Sequence, residues 1–128
     1  MNLLLDTHIW IWAKLEPKRL GKRVAKELEN HANQLWLSPV SVWEALVLME
    51  KGRIRVESPF AWVERAAEQL REAPLTQEIV RTALALPLPY NDPADRFLAG
   101  TAKVLDLTLV TADSRLLGLP EIHCLANR

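Results

Sequence analysis

Leu3, Leu4 and Leu5 follow one another without a polar break, and Asp6 ends the run. Side chains of a strand point alternately to its two faces. A strand with no polar alternation is therefore buried on both sides, and its sheet must be covered above and below. Helices supply such cover when they connect successive strands, and strands joined in that way run parallel. The opening run thus favours a mainly parallel central sheet between helical layers: an α/β/α domain.

The remaining pattern agrees. A helix is expected soon after Asp6. "LGKRVAKELENHAN" (20–33) carries Val24, Ala25 and Leu28 at helical spacing, and "QLWLS" (34–38) is a second strand. "SVWEALVLMEKG" (41–52) is a helix begun by Ser41, which with Glu44 fits a capping box, and stopped by Gly52. Residues 53–58 fit an extended segment or a loop. Pro59 opens the amphipathic helix "PFAWVERAAEQLRE", and Leu75 fits a very short strand. Thr76 caps "QEIVRTALAL", and "PLPYNDP" (87–93) is irregular because its prolines lack a donor. A helix over 93–106, a buried strand over 107–113 and a short strand over 122–126 complete the chain. Nothing repeats and no linker intervenes, so the 128 residues form one domain, 1–128.

Composition removes several classes. Hydrophobic residues make up 49% of the chain, which excludes a disordered protein. Lysine plus arginine equals aspartate plus glutamate at 16 each, so the total charge gives no general attraction to nucleic acid. Cys124 is the single cysteine, so neither an internal disulfide nor a cysteine zinc site is available. A reducing, cytoplasmic setting is expected, with no secretory signal and no membrane span.

The acids carry the functional signal. Asp6 and Asp113 each follow an apolar strand, and ligands of open α/β sheets bind at the carboxyl ends of strands. Glu44 lies in the helix after the second strand, flanked by Trp43, Ala45, Leu46, Val47 and Leu48, so a buried carboxylate is expected. Asp92 and Asp95 stand three apart at the start of a later helix and can share a face. Taken singly, Asp6, Asp92 and Asp113 read first as helix caps, and Asp95 as a first-turn acid. Taken together, acids from four segments would repel one another unless a cation joined them. An all-oxygen set suits Mg²⁺ or Mn²⁺. Such an ion can activate water against a phosphodiester. Thr111 is a candidate to hydrogen-bond that water or a phosphate oxygen, or is simply a strand residue. His8, His31 and His123 show no metal-ligand spacing.

The segments "LLLDTHIWIW", "SVWEALVLMEKG", "NDPADRFLAGTAKV" and "LTLVTAD" resemble, in order, the four acidic motifs of PIN-domain ribonucleases, above all the VapC-type toxins of toxin–antitoxin pairs. The resemblance assigns Asp6, Glu44, Asp95 and Asp113 as the catalytic and metal-binding acids, with Asp92 in support. Arg96, in "DPADR", is read as a structural salt-bridge residue. The resemblance also implies a Mg²⁺- or Mn²⁺-dependent endoribonuclease leaving a 5′ phosphate. It further implies a small antitoxin partner, a homodimer, and contact with DNA only through the antitoxin. A non-catalytic PIN-like module that binds RNA or a protein is the alternative. A phosphoacceptor receiver domain is disfavoured because the first strand ends in one Asp and no lysine follows the late strand. A haloacid-dehalogenase-like phosphatase is disfavoured because residues 6–8 read Asp-Thr-His.

Two basic groups are candidates to guide RNA. Lys18, Lys22 and Lys26, with Arg19 and Arg23 beside them, form a stripe if one helix holds them all. Lys51, Arg53 and Arg55 form a second group. An ordinary solvated face is the competing reading. Of the five tryptophans, Trp36 and Trp43 are expected in the core. Trp10 and Trp12 point to different sides, so one of them is a candidate surface anchor.

Overall fold

The computed structural model describes residues 1–89 and 91–128. Five strands form one sheet in the order β3-β2-β1-β4-β5, and all pairings are parallel. They are β1 (Asn2–Leu5), β2 (Gln34–Leu37), β3 (Arg71–Glu72), β4 (Thr108–Thr111) and β5 (His123–Ala126). The helices are α1 (Thr7–Leu15), α2 (Lys22–Glu29), α3 (Pro39–Glu50), α4 (Pro59–Ala66), α5 (Gln77–Ala85), α6 (Pro93–Leu105) and the short α7 (Ser114–Leu117). None of the described helices is long and apolar enough to cross a membrane.

The leucine run does what its pattern requires. Leu3 and Leu5 pack on one side with Ile9, Trp10, Val24 and Ala45. Leu4 packs on the other with Leu98, Ala99, Leu109 and Leu116. β1 is the central strand, with Leu3 opposite Leu35 on one flank and Thr108 on the other. The chain steps outward from β1 through β2 to β3, then returns to build β4 and β5 on the opposite side. The strand order therefore reverses between β1 and β4, and a crevice opens there at the carboxyl ends.

Several local expectations change. α3 starts at Pro39, and Ser38 is its cap, with its hydroxyl accepting from the Val40 N–H at 3.1 Å. The capping box of Ser41 and Glu44 is therefore absent, and Ser41 is fully buried inside the helix. α3 buries only the face of Ser41, Ala45 and Met49, so Trp43 stands 64% exposed rather than in the core. Trp36 is half-buried, whereas Trp10 is fully buried and donates its Nε1–H to the Ala66 carbonyl at 2.9 Å.

α2 is shorter than the expected 20–33. The Gly21 N–H donates to Asn127 Oδ1 at 2.6 Å in an extended conformation, and this tie to the C-terminal segment blocks helix before Lys22. α4 ends at Ala66 instead of running to residue 72. Arg71 and Glu72 leave the helical pattern to pair with Trp36 and Leu37 on the sheet edge, so β3 lies there and not at Leu75. Thr76 caps α5 as expected, through the Ile79 N–H. The irregular stretch 87–93 holds up to Pro93, which belongs to α6; residue 90 lies outside the described residues.

Candidate active site

Asp6 closes β1 and opens α1. One carboxylate oxygen accepts the Thr7 N–H at 2.7 Å, the other the Thr111 hydroxyl at 2.6 Å, and the Asp6 N–H donates to the Val110 carbonyl at 3.0 Å. The residue is thus held between the ends of β1 and β4, where the strand order reverses. Asp92 caps α6 through the Ala94 and Asp95 N–H groups, and Asp113 caps α7 through the Arg115 N–H. The capping role read for single acids is real for these three. It does not compete with a shared site, because Asp6, Glu44, Asp92, Asp95 and Asp113 all line one open cleft of about 510 Å³.

Two buried hydroxyls join the acids from beneath. Thr7 donates its hydroxyl to Glu44 Oε1 at 2.5 Å, and its oxygen lies 2.9 Å from Ser41 Oγ. This links the start of α1 to the first turns of α3. Thr111 receives the Asp113 N–H at 3.0 Å while donating to Asp6, and so ties the first acid to the fourth. Thr111 is fully buried and does not line the cleft, so it positions Asp6 instead of meeting a water or phosphate there.

Charge is frustrated at the centre of the cleft. Burial pushes the Asp6 carboxyl above its ordinary value, outweighing the hydrogen bonds from Thr111 and Thr7. Burial also raises Glu44, against the Thr7 hydroxyl, and the charges of Asp6 and Asp92 raise it further. Asp113 differs: the Arg115 side chain holds its carboxyl below the usual value. The Arg115 guanidinium donates to both Asp113 oxygens at 3.1 and 2.8 Å, and its Nη2 lies 3.5 Å from Asp95 Oδ2.

The donor set fits a hard divalent cation. The candidate donors are all carboxylate oxygens, and burial holds the carboxyls of Asp6 and Glu44 above their ordinary values, a balance that a bound cation would reverse. Among the described residues, no three acids, histidines or cysteines stand close enough to enclose one ion. Mg²⁺ does not require that, since it commonly takes one or two carboxylates directly and keeps several waters.

Other candidates fall elsewhere. Lys18 lies in a 3-10 turn (Pro17–Arg19), while Lys22, Arg23 and Lys26 lie on α2 beyond the break at Gly21, so no continuous stripe exists. All four are exposed and none lines the cleft. Their neighbour Arg19 does, together with His8, Trp12 and Arg115. Arg115 was missed, although an arginine two residues past a capping Asp stands in reach of that carboxylate. Thr7 gave no signal and Ser41 pointed to a cap it does not make, because their roles depend on which helices meet. Arg96 is structural without being a salt bridge to an acid: its guanidinium donates to the carbonyls of Ala83, Leu84, Leu86 and Leu88.

Comparison with known proteins identifies the family. Residues 3–121 match the PIN domain family model. Ribonuclease VapC22 of Mycobacterium tuberculosis is 37% identical over 117 residues, covering 90% of this chain and 89% of that protein. The fold is similar to that in the structure of VapBC2 from Rickettsia felis bound to a DNA fragment from its promoter, with TM-score 0.79, 18% identity and all of both chains covered. It is also similar to that in DNA-bound VapBC from Salmonella typhimurium, with TM-score 0.75, 19% identity and 98% of each chain covered. A family match over residues 3–121, a curated relative of that identity, and acids from four segments lining one cleft place this chain in the PIN-domain family, among the VapC ribonucleases.

Proposed function

We propose that the chain is a Mg²⁺- or Mn²⁺-dependent endoribonuclease, the toxin of a type II toxin–antitoxin pair, which hydrolyses RNA and leaves a 5′ phosphate. The observation that carries this reading is the meeting of Asp6, Glu44, Asp92, Asp95 and Asp113 in one cleft at the carboxyl ends of β1 and β4. The ion, when bound, supplies charge neutralisation for the phosphodiester and a water acidic enough to act near neutral pH. Asp6, Glu44 and Asp95 would hold the ion, one or two of them directly and the rest through its waters. Thr111 and Thr7 fix the rotamers of Asp6 and Glu44 through their hydroxyls. Asp113, whose ionised form Arg115 favours, stands at the rim as an ion pair with that arginine. Attack of water on phosphorus with loss of the 3′ oxygen gives a 3′ hydroxyl and a 5′ phosphate.

An antitoxin partner is part of the same reading, supported by VapBC assemblies among the structural neighbours. DNA contact is assigned to that partner. A homodimer is proposed as well. Leu84 is 79% exposed on α5, beside Val80, and with Phe97 they line a mostly apolar hollow that a second copy would cover.

The test is cleavage of end-labelled RNA with Mg²⁺, Mn²⁺ or excess chelator. Cleavage is expected only with an ion, with products open to a 5′-phosphate-dependent exonuclease. Asp6→Asn and Asp95→Asn are expected to remain folded and lose activity. Full activity in both variants would reject the site, and RNA binding without cleavage under every metal condition would favour the non-catalytic module.

A further inference from the structure

A second cavity, of about 490 Å³, adjoins the acidic cleft and shares His8, Trp12 and Arg19 with it. It runs from there over Leu48 to Arg53 and Arg55. Gly52, at φ 73°, turns the chain out of α3, and the Arg53 N–H returns to the Leu48 carbonyl at 2.9 Å. That turn brings both arginines to the groove. The Arg19 guanidinium carbon lies 4.3 Å from the centre of the Trp12 ring, and the His8 ring lies 5.8 Å from the same indole. Three arginines face a single acid, Glu16, itself 3.5 Å from Arg19.

We propose that this groove is the subsite for single-stranded RNA flanking the scissile phosphate, with Arg19, Arg53 and Arg55 taking phosphates and Trp12 with His8 giving a stacking surface to a base. The inference rests on the nuclease reading and specifies how its substrate is held. A polyanion entering a cleft lined by five carboxylates needs cations close by, and a chain of zero net charge must supply them locally. The groove provides them in direct continuity with the cleft, which the lysines of α2 do not. Arg19 laid on an indole is already ordered, so less entropy is lost when a phosphate arrives. Aromatic surface flanked by arginines accepts any unstacked base, which selects single strands over duplex.

The experiment uses the Asp95→Asn chain, expected not to cut, and a fluorescein-labelled unstructured 12-nucleotide RNA, read by anisotropy across a salt series. Arg53→Gln with Arg55→Gln is expected to weaken binding roughly tenfold and to flatten the slope of log K against log salt by about 1.4, the loss of two phosphate contacts. Both side chains are exposed, so the fold is retained. Trp12→Leu is expected to weaken binding about tenfold with the slope unchanged, and Trp12→Phe to restore most of it. Parental affinity and slope in all these variants would overturn the subsite and leave the groove to a protein segment. A parent chain that cuts RNA while its groove variants bind normally sinks this inference alone. A parent chain that cuts no RNA with either ion sinks the nuclease reading beneath it.

Discussion

Asp6 shows how one carboxylate serves fold and chemistry at once. Its hydrogen bonds cap α1 and lock it to Thr111, yet burial still leaves the ionised form disfavoured. An acid whose folded pKa is raised contributes stability that is fully present below its unfolded value, about pH 4, and lost as pH rises through the folded value. In the metal-free protein that contribution is lost towards neutral pH, because burial disfavours the charged carboxylate. Asp6→Asn keeps a capping oxygen without the charge, so in chelator at pH 7.5 it is expected to melt above the parent. The margin should shrink as pH falls towards the ordinary carboxylate range; melting curves by circular dichroism between pH 4 and 8 check this. Thr7→Val probes the layer below. It leaves Glu44 and the buried Ser41 without the Thr7 hydroxyl, at a cost of about 1–3 kcal/mol in urea unfolding, with cleavage reduced because Glu44 is no longer held. The acids were readable from the chain because strand ends and helix starts are local facts. The links from Thr7 and Ser41 to Glu44 were not, since they depend on which helices meet; Arg115 was overlooked although Asp113 lies within its local reach.

At the scale of elements, the crossing of α5 and α6 aims Asp92 and Asp95. Gly100 sits at that crossing, where an added Cβ would stand 2.9 Å from the Ile79 carbonyl oxygen and 3.0 Å from Ala83 Cβ. The backbone atom cannot yield without moving a helix, so Gly100→Val is expected to cost about 1–3 kcal/mol in denaturant unfolding and to lower cleavage by displacing α6. Arg96, one turn before Gly100 on α6, closes the same junction, with one guanidinium serving four carbonyls at the end of α5 and just beyond it. Arg96→Leu removes the charged donor for all four and is expected to cost at least about 3 kcal/mol by the same measurement. Helix existence was legible from spacing and prolines, as α5 and α6 show. The boundaries that moved, at Ser38, Gly21 and Arg71, were each decided by a partner distant in sequence or by a proline start that the apolar pattern concealed.

On the scale of the whole molecule, three leucines before Asp6 sufficed to indicate a sheet covered on both faces. The position of β1 at its centre, with the strand order reversing beside it, followed from pairings no local pattern encodes. The same reversal makes the site a property of the entire fold, since its acids come from elements on both sides of β1. An ion gripped there, as proposed, would link those elements and favour the native state over the unfolded chain. At 100 times its dissociation constant, such an ion adds about 2.7 kcal/mol, which for a domain of this size raises Tm on the order of 10 °C. The parent chain is therefore expected to melt progressively higher as Mg²⁺ is added at pH 7.5, with the shift growing as the logarithm of concentration. Protons compete for Asp6 and Glu44, whose carboxyls titrate above their ordinary values, so the shift should diminish as pH falls. An Asp6→Asn, Asp95→Asn double variant should show no dependence on Mg²⁺. Differential scanning calorimetry across a metal series at two pH values decides the matter, and a parent Tm indifferent to Mg²⁺ and Mn²⁺ alike would mean that the cleft holds no ion.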